Sequence, residues 1–382
     1  MDFKLDKAHQ LQQELFRSFA ENEIRPLAKE MDENEAYDLE LLAKLHKYGM
    51  MGIPYSREYG GAGSDTLAYT LCMEEISKVD ASTGITISVH TSLCCSCINN
   101  FGTEEQKQKY LRPLVDGSKT GCFGLTETNA GSDVAGAQTV ATKDGDEWVI
   151  NGSKIFTTNS GFADVCIVFA LTDRTVPAAK GMTAFIVDLK GTPGVTVSEN
   201  IERMGIRAAS NCIVSYDNVR VSADRVLGPV GKGFKIAMGA LDCGRIGIAA
   251  QAVGIAQGAL NEAIKYGKER KQFGKPINSF QNTQFKMAEM QTKINAARLL
   301  TWDAAIAEDN HEVFGPKAAM AKLFASDVGV EVTRFAVQAM GGYGYCREYA
   351  TERMYRDAKI TEIYEGTSEV MKMVISGSMK LK

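Results

Sequence analysis

The stretch Phe234 to Arg270 is rich in Ala, Ile and Leu and is broken only by isolated glycines. It is longer than an ordinary surface helix, and a helix of that length finds enough apolar partners as a member of a bundle. Phe280 to Asp309 and Pro316 to Met340 give two more long helical patterns, and Thr367 to Ser376 a shorter one. Pro316 suits a first helical position, where a missing N–H costs nothing, and Gly341-Gly342 ends the third element. Residues 229–382 therefore read as a C-terminal helical bundle.

Between 121 and 228 the period changes. Strand patterns recur at Val165 to Leu171, Thr183 to Leu189, Val195 to Ser198, Asn211 to Tyr216 and Asn218 to Val221. Asn151-Gly152, flanked by Glu147 to Ile150 and Ser153 to Thr157, predicts a tight hairpin turn. Few helical patterns intervene, so a small β-barrel or sandwich is expected here, not a parallel sheet with crossover helices.

Residues 1–120 read as all-helical. Leu11, Leu15 and Phe19 predict a shared face, Asp38 is placed to cap a helix from Leu39 to Tyr48, and Thr66 to Lys78 is helical again. The order helix, β, helix predicts an α+β chain of three domains.

Charge excludes more than it assigns. The 43 basic and 47 acidic residues leave a formal net charge of -4, and no dense Lys/Arg run offers a footprint for nucleic acid. No uninterrupted apolar run reaches the roughly 18 residues of a membrane span. The charged start, Met1 to Lys7, has no secretory core, so a cytoplasmic protein is expected, or a mitochondrial one whose transit peptide has been removed. Nine cysteines lack the paired Cys/His spacing of a metal site and read as thiols of a reducing compartment.

Familiar cofactor motifs fail. No Gly-x-Gly-x-x-Gly follows a strand, and Gly228-Pro229-Val230-Gly231-Lys232-Gly233 lacks the Ser or Thr of a phosphate loop, so it reads as a domain junction. Three Gly- and Thr-rich segments remain: Gly124 to Asp133, Thr157 to Gly161, and Gly341 to Gly344. Their N–H groups and hydroxyls can hold a polar ring edge or a phosphate, although ordinary turns use the same residues. Glu365 precedes Gly366-Thr367-Ser368, a helix-entry loop with Thr367 or Ser368 as cap. Its carboxylate either faces a cleft or is an exposed loop acid. Asp242 and Arg245 share a helix face, for which a surface salt bridge is the plain explanation.

Three stretches together resemble the acyl-CoA dehydrogenase family. Gly124-Leu125-Thr126-Glu127-Thr128-Asn129-Ala130-Gly131-Ser132-Asp133 is similar to its first signature, though Thr128-Asn129 stands where many members have Pro-Gly or Pro-Asn. Gln338 to Glu369, ending in Ile363-Tyr364-Glu365-Gly366-Thr367-Ser368-Glu369, is similar to the second, and Arg270 to Pro276 fits between them. The resemblance spans nearly the whole chain and is nearest to the short-chain, butyryl-CoA group. It implies a helical N-terminal domain, a middle β-barrel, a C-terminal four-helix bundle and a homotetramer that works with an electron-transfer flavoprotein.

The same resemblance implies FAD bound between barrel and bundle. Thr126, Thr158 and Phe156 match residues at the flavin ring, and Thr367 also lies against the cofactor. Arg270 and Phe273 match the segment meeting the adenine and diphosphate portion across the subunit boundary, with Gln338 and Gly342 on the other side. Ser132, Asp242 and Arg245 match positions along the CoA chain, and Gly366 joins them on the substrate side. Glu365 matches the catalytic base. Some members carry the base at the position of Gly244, and glycine cannot serve. The implied reaction is α-proton abstraction by Glu365 with β-hydride transfer to flavin N5, giving a trans-2-enoyl-CoA. The Glu365 N–H and a ribityl hydroxyl of FAD would stabilise the thioester oxygen.

Other readings share the fold: an enoyl-CoA reductase, a branched-chain or aryl acyl-CoA dehydrogenase, a flavin oxidase or monooxygenase, or a scaffold that has lost FAD. For acyl length, Thr91 to Cys97 and Leu241 to Arg245 are candidate floor segments, with core packing as their plain role.

Overall fold

The computed structural model describes residues 4–380. Its first part is helical. Phe16, Phe19, Ala20 and Ile24 form the buried stripe of the first helix, Lys7–Phe19, and the π turn that continues it. Leu11 and Leu15, predicted to share the core face with Phe19, are exposed. The observed stripe follows the 3.6-residue period from Phe16, so residues four and eight before Phe19 turn away from the core. Asp38 caps Leu39–Lys47, its carboxylate accepting from the Glu40 and Leu41 N–H groups at 2.7 and 3.1 Å.

Eight strands form the middle sheet: β1 (Gly121–Gly124), β2 (Val140–Asp144), β3 (Glu147–Thr158), β4 (Val165–Leu171), β5 (Met182–Asp188), β6 (Val195–Val197), β7 (Asn211–Ser222) and β8 (Val226–Leu227). They run in the order β6-β7-β3-β2-β4-β5-β8, with β1 parallel to β4. The expected closed barrel is not formed: β6 and β8 end the sheet and do not pair with each other. Those end strands have three and two residues, too short to extend a ladder. At the middle, β2 and β4 share a single residue pair, Val140 with Leu171, so the sheet divides into two halves that face each other. Trp148 and Ile150 of β3 and Tyr216 and Val219 of β7 meet Cys166 and Val168 of β4 and Phe185 of β5 in one core, with the Trp148 and Phe185 rings 5.7 Å apart. Alternate residues of β4, Ile167 and Phe169, point instead into a core shared with helices.

The predicted hairpin turn at Asn151-Gly152 is likewise absent. β3 runs through it, and the turn falls at Gly145-Asp146, between the paired residues Asp144 and Glu147. Gly145 takes φ 61°, which the turn requires. Gly152 marks a bulge where a Cβ would come within 2.5 Å of the Thr139 hydroxyl, so its glycine serves close packing.

Gly233–Glu269, Gln281–Asp309 and Gly315–Met340 are the long helices, followed by Thr351–Ile360 and Ser368–Ser378. Gly233–Glu269 is apolar nearly all round because it is buried on several sides. Ile248, Ile255 and Ala259 face the core behind β4, while Ile246, Val253 and Leu260 pack against the other two long helices. Two helical stretches, 81–101 and 233–269, have the length and mean hydropathy (1.2) of a membrane span although polar residues interrupt both, and their most apolar windows are 100% and 78% buried in the protein. Eight cysteines are buried and Cys346 is exposed, all as free thiols.

Candidate active site

Glu365 sits in the loop between Thr351–Ile360 and Ser368–Ser378 with φ 52°, an uncommon conformation for a residue with a side chain, and Gly366 follows at φ 104°. Thr367 caps the next helix, its hydroxyl accepting from the Val370 N–H. The Glu365 residue is half-buried, but both carboxylate oxygens are closed to solvent and neither has a hydrogen-bond partner among the described residues. They lie against Gly244, where an added Cβ would stand 1.9 Å from Oε2. A side chain at 244 and the Glu365 carboxylate therefore compete for one space.

Two cations grip the loop. Arg245 Nε approaches the Glu365 carbonyl at 3.4 Å, and Lys322 Nζ donates to the Gly366 carbonyl at 2.6 Å. The Glu365 N–H makes no hydrogen bond among the described residues. Arg245 also bonds Asp242 at 2.5 Å, and with the Arg245 side chain 5% and the Asp242 side chain 32% exposed, the pair is half-buried and not an open surface bridge. Lys322 escaped the reading of the sequence. It shares the register of Ala318, Ala325, Gly329 and Val332 on the buried face of its helix, and a lysine on such a face is the available signal.

Burial pushes the Glu365 carboxyl from 4.5 up to about 8, with Lys322 and Arg245 pulling the other way. The folded site thus holds its proton more tightly than the unfolded chain. Its contribution to stability is complete below about pH 4.5 and is lost as pH rises towards 8. Glu365→Gln cannot titrate and escapes that loss. The melting temperature of FAD-loaded Glu365→Gln, relative to wild type, should therefore climb between about pH 5 and pH 8. Parallel melting curves across that range would contradict the raised affinity.

The other sequence candidates fall in two places. The Thr126 carbonyl accepts from Ile155 N–H at 2.9 Å, which brings the first signature loop beside β3. There Ile155 and Phe156 bulge opposite Ile213, and Phe156 takes φ 56° and is 56% exposed. Thr158, two residues on, is buried and accepts from Asn211 Nδ2 at 3.0 Å. A buried pair supports the loop from below: Lys154 Nζ donates to Glu127 at 2.6 Å and to the Leu125 carbonyl at 3.1 Å. Elsewhere Arg270, Gln338 and Gly342 line one groove of about 600 Å³, with the Arg270 guanidinium over the Tyr343 ring. Phe273 lies outside that lining and is 94% exposed at a turn, and Ser132 is exposed in the signature loop.

Three family models match in sequence: acyl-CoA dehydrogenase N-terminal domain over residues 6–118, middle domain over 122–219 and C-terminal domain over 231–380. The chain belongs to the acyl-CoA dehydrogenase family. Among its relatives is the short-chain specific acyl-CoA dehydrogenase of Clostridium acetobutylicum, 53% identical over 99% of this chain and 100% of that one. Butyryl-CoA dehydrogenase from Megasphaera elsdenii superposes with a TM-score of 0.97 at 48% identity, covering 99% and 100%. A chain solved in work on the electron transferring flavoprotein of Acidaminococcus fermentans and flavin-based electron bifurcation gives 0.98 at 48%, covering both chains fully.

This acyl-CoA dehydrogenase is an FAD enzyme, and the β3 rim fits the flavin. Because Thr158 accepts from Asn211, its own hydroxyl proton is free for an acceptor on a ring edge. The bulge holds the exposed Phe156 ring where a flat apolar surface can pack on it.

Proposed function

We propose that this chain acts on short acyl-CoA thioesters of four to five acyl carbons, with Glu365 as the base. A solvent-closed carboxylate without a partner, facing Gly244, is the observation that carries this reading. Such a carboxylate has a raised proton affinity, which narrows the gap to the weakly acidic α-carbon. Glu365 takes the α-proton, its unpaired N–H supports the charge gathering on the thioester oxygen, and a C=C bond forms as hydride leaves the β-carbon. Bound FAD supplies the hydride acceptor. Arg245, paired with Asp242, steadies the loop that presents both groups, and Ser132, on the exposed signature loop, meets the CoA chain.

Thr126, Phe156 and Thr158 would hold the flavin ring, with Thr367 beside it. The groove of Arg270, Gln338 and Gly342, together with exposed Phe273, would take the adenine end of a cofactor shared between copies. That arrangement supports a homotetramer. Electrons then pass to an electron-transfer flavoprotein, and the buried free thiols fit a reducing cytoplasm.

The test is kcat/KM measured from C3 to C12 acyl-CoA. Each buried methylene contributes ~0.8 kcal/mol, about fourfold, so a floor at C4 to C5 gives several-fold steps on either side. A maximum at C8 or beyond, or faster turnover of an aryl-propionyl thioester, would replace the short-chain assignment.

A further inference from the structure

The geometry points to Lys322 as the positioning residue of the base: it anchors the Gly366 carbonyl and supplies the positive charge against which Glu365 ionises. The inference rests on Glu365 being the base. Lys322 is fully buried, and its Nζ reaches the backbone of the base loop at 2.6 Å, leaving the carboxylate itself without a partner. A neutral donor would satisfy that carbonyl without the cost of desolvating an ammonium. Its charge therefore calls for a second explanation, and the nearby carboxylate gives one.

The two groups influence each other in both directions. Burial, with a smaller push from Arg245, brings the Lys322 ammonium down to about 8 against the opposing charges of Glu365, Glu362 and Asp327. Facing Glu365 are Arg245 from Gly233–Glu269, Lys322 from Gly315–Met340, Tyr69 from Thr66–Ser77 and Tyr364 from its own segment; Asp242 acts on Arg245, and Glu362, Asp327 and Glu369 face Lys322. Arg245 is already tied to Asp242, so Lys322 is the cation whose charge is not consumed by a direct carboxylate partner. With the Glu365 and Gly366 carbonyls held by Arg245 and Lys322, the loop keeps φ 52° at Glu365 and its N–H stays unpaired.

Lys322→Gln keeps a donor and loses the charge, Lys322→Met loses both, and Lys322→Arg keeps the charge. Each is compared as FAD-loaded protein. Two measurements are made: infrared pH-difference spectra of ¹³C-glutamate-labelled enzyme, with Glu365→Gln as blank, and single-turnover flavin reduction against pH. In Lys322→Gln the Glu365 ionisation should move up by about one unit, the lower end for losing a nearby opposite charge. Flavin reduction at pH 7 should fall about tenfold and recover as pH passes the new value. Lys322→Met should show the same shift with a lowered plateau, and Lys322→Arg should restore the wild-type profile. Unmoved titrations in both Gln and Met variants would overturn the inference. So would loss of FAD from both, because Lys322 would then serve the fold alone. Near-wild-type reduction in Glu365→Gln would instead remove the base assignment on which the inference rests.

Discussion

Replacing Glu365 with Gln should leave an enzyme that binds FAD and acyl-CoA but reduces its flavin at least ~100-fold more slowly, the lower end for losing a positioned acid–base group. Glutamine keeps the side-chain volume, so the space against Gly244 stays filled, and it keeps the backbone N–H. Only the group that takes the proton is lost. Stopped-flow flavin reduction at saturating acyl-CoA separates that loss from weaker binding, since a change confined to KM would indicate ligand positioning. Asp242→Asn and Arg245→Lys are the contrasts. Both disturb the cation that holds the Glu365 carbonyl, so they should slow the same step less and leave the carboxylate able to titrate. An exposed loop acid, the plain alternative, predicts near-normal reduction in Glu365→Gln.

What could be read from the sequence was local. Asp38 and Thr367 cap helices because a short polar side chain before an apolar period has few other roles, and both do so. The long helices follow from apolar stretches without breakers, and β4 matches its predicted bounds because its apolar run is bracketed by turn residues. Non-local pairing was another matter. Whether β6 meets β8 depends on strands far apart in sequence, and alternation looks the same in an open sheet and a closed barrel. Asn151-Gly152 misled for a related reason: β7 pairs across it, and the long ladder favours a bulge over a turn. At the site, the two signatures pointed to Thr126 and Glu365 and the Thr157 to Gly161 segment to Thr158, but none showed how deeply Arg245 lies beside Asp242. That depth arises from the loop folding over the long helix. Lys322 lay outside any motif, and only its place on an otherwise small, apolar helix face could have marked it.

Gly244→Ala tests the position of the base, since the chemistry of Glu365 is left intact. An added Cβ would stand 1.9 Å from Glu365 Oε2, 2.9 Å from its Cδ and 2.9 Å from Leu93 Cδ2. These three nearest contacts are all with ends of side chains, which can shift at modest cost. Alanine also favours a helix interior over glycine by about 1 kcal/mol, which offsets part of the crowding. The variant should therefore fold, bind FAD and melt close to wild type. The atom that yields is the carboxylate. A displacement on the order of 1 Å in a reacting group costs about 100-fold in rate, so flavin reduction should fall by about that factor while Glu365 remains titratable. Gly244→Ser, similar in size at Cβ but with a hydroxyl within reach of the carboxylate, should impair reduction at least as much. If Gly244→Ala reduces its flavin at the wild-type rate with normal substrate affinity, the carboxylate does not work from the place against Gly244.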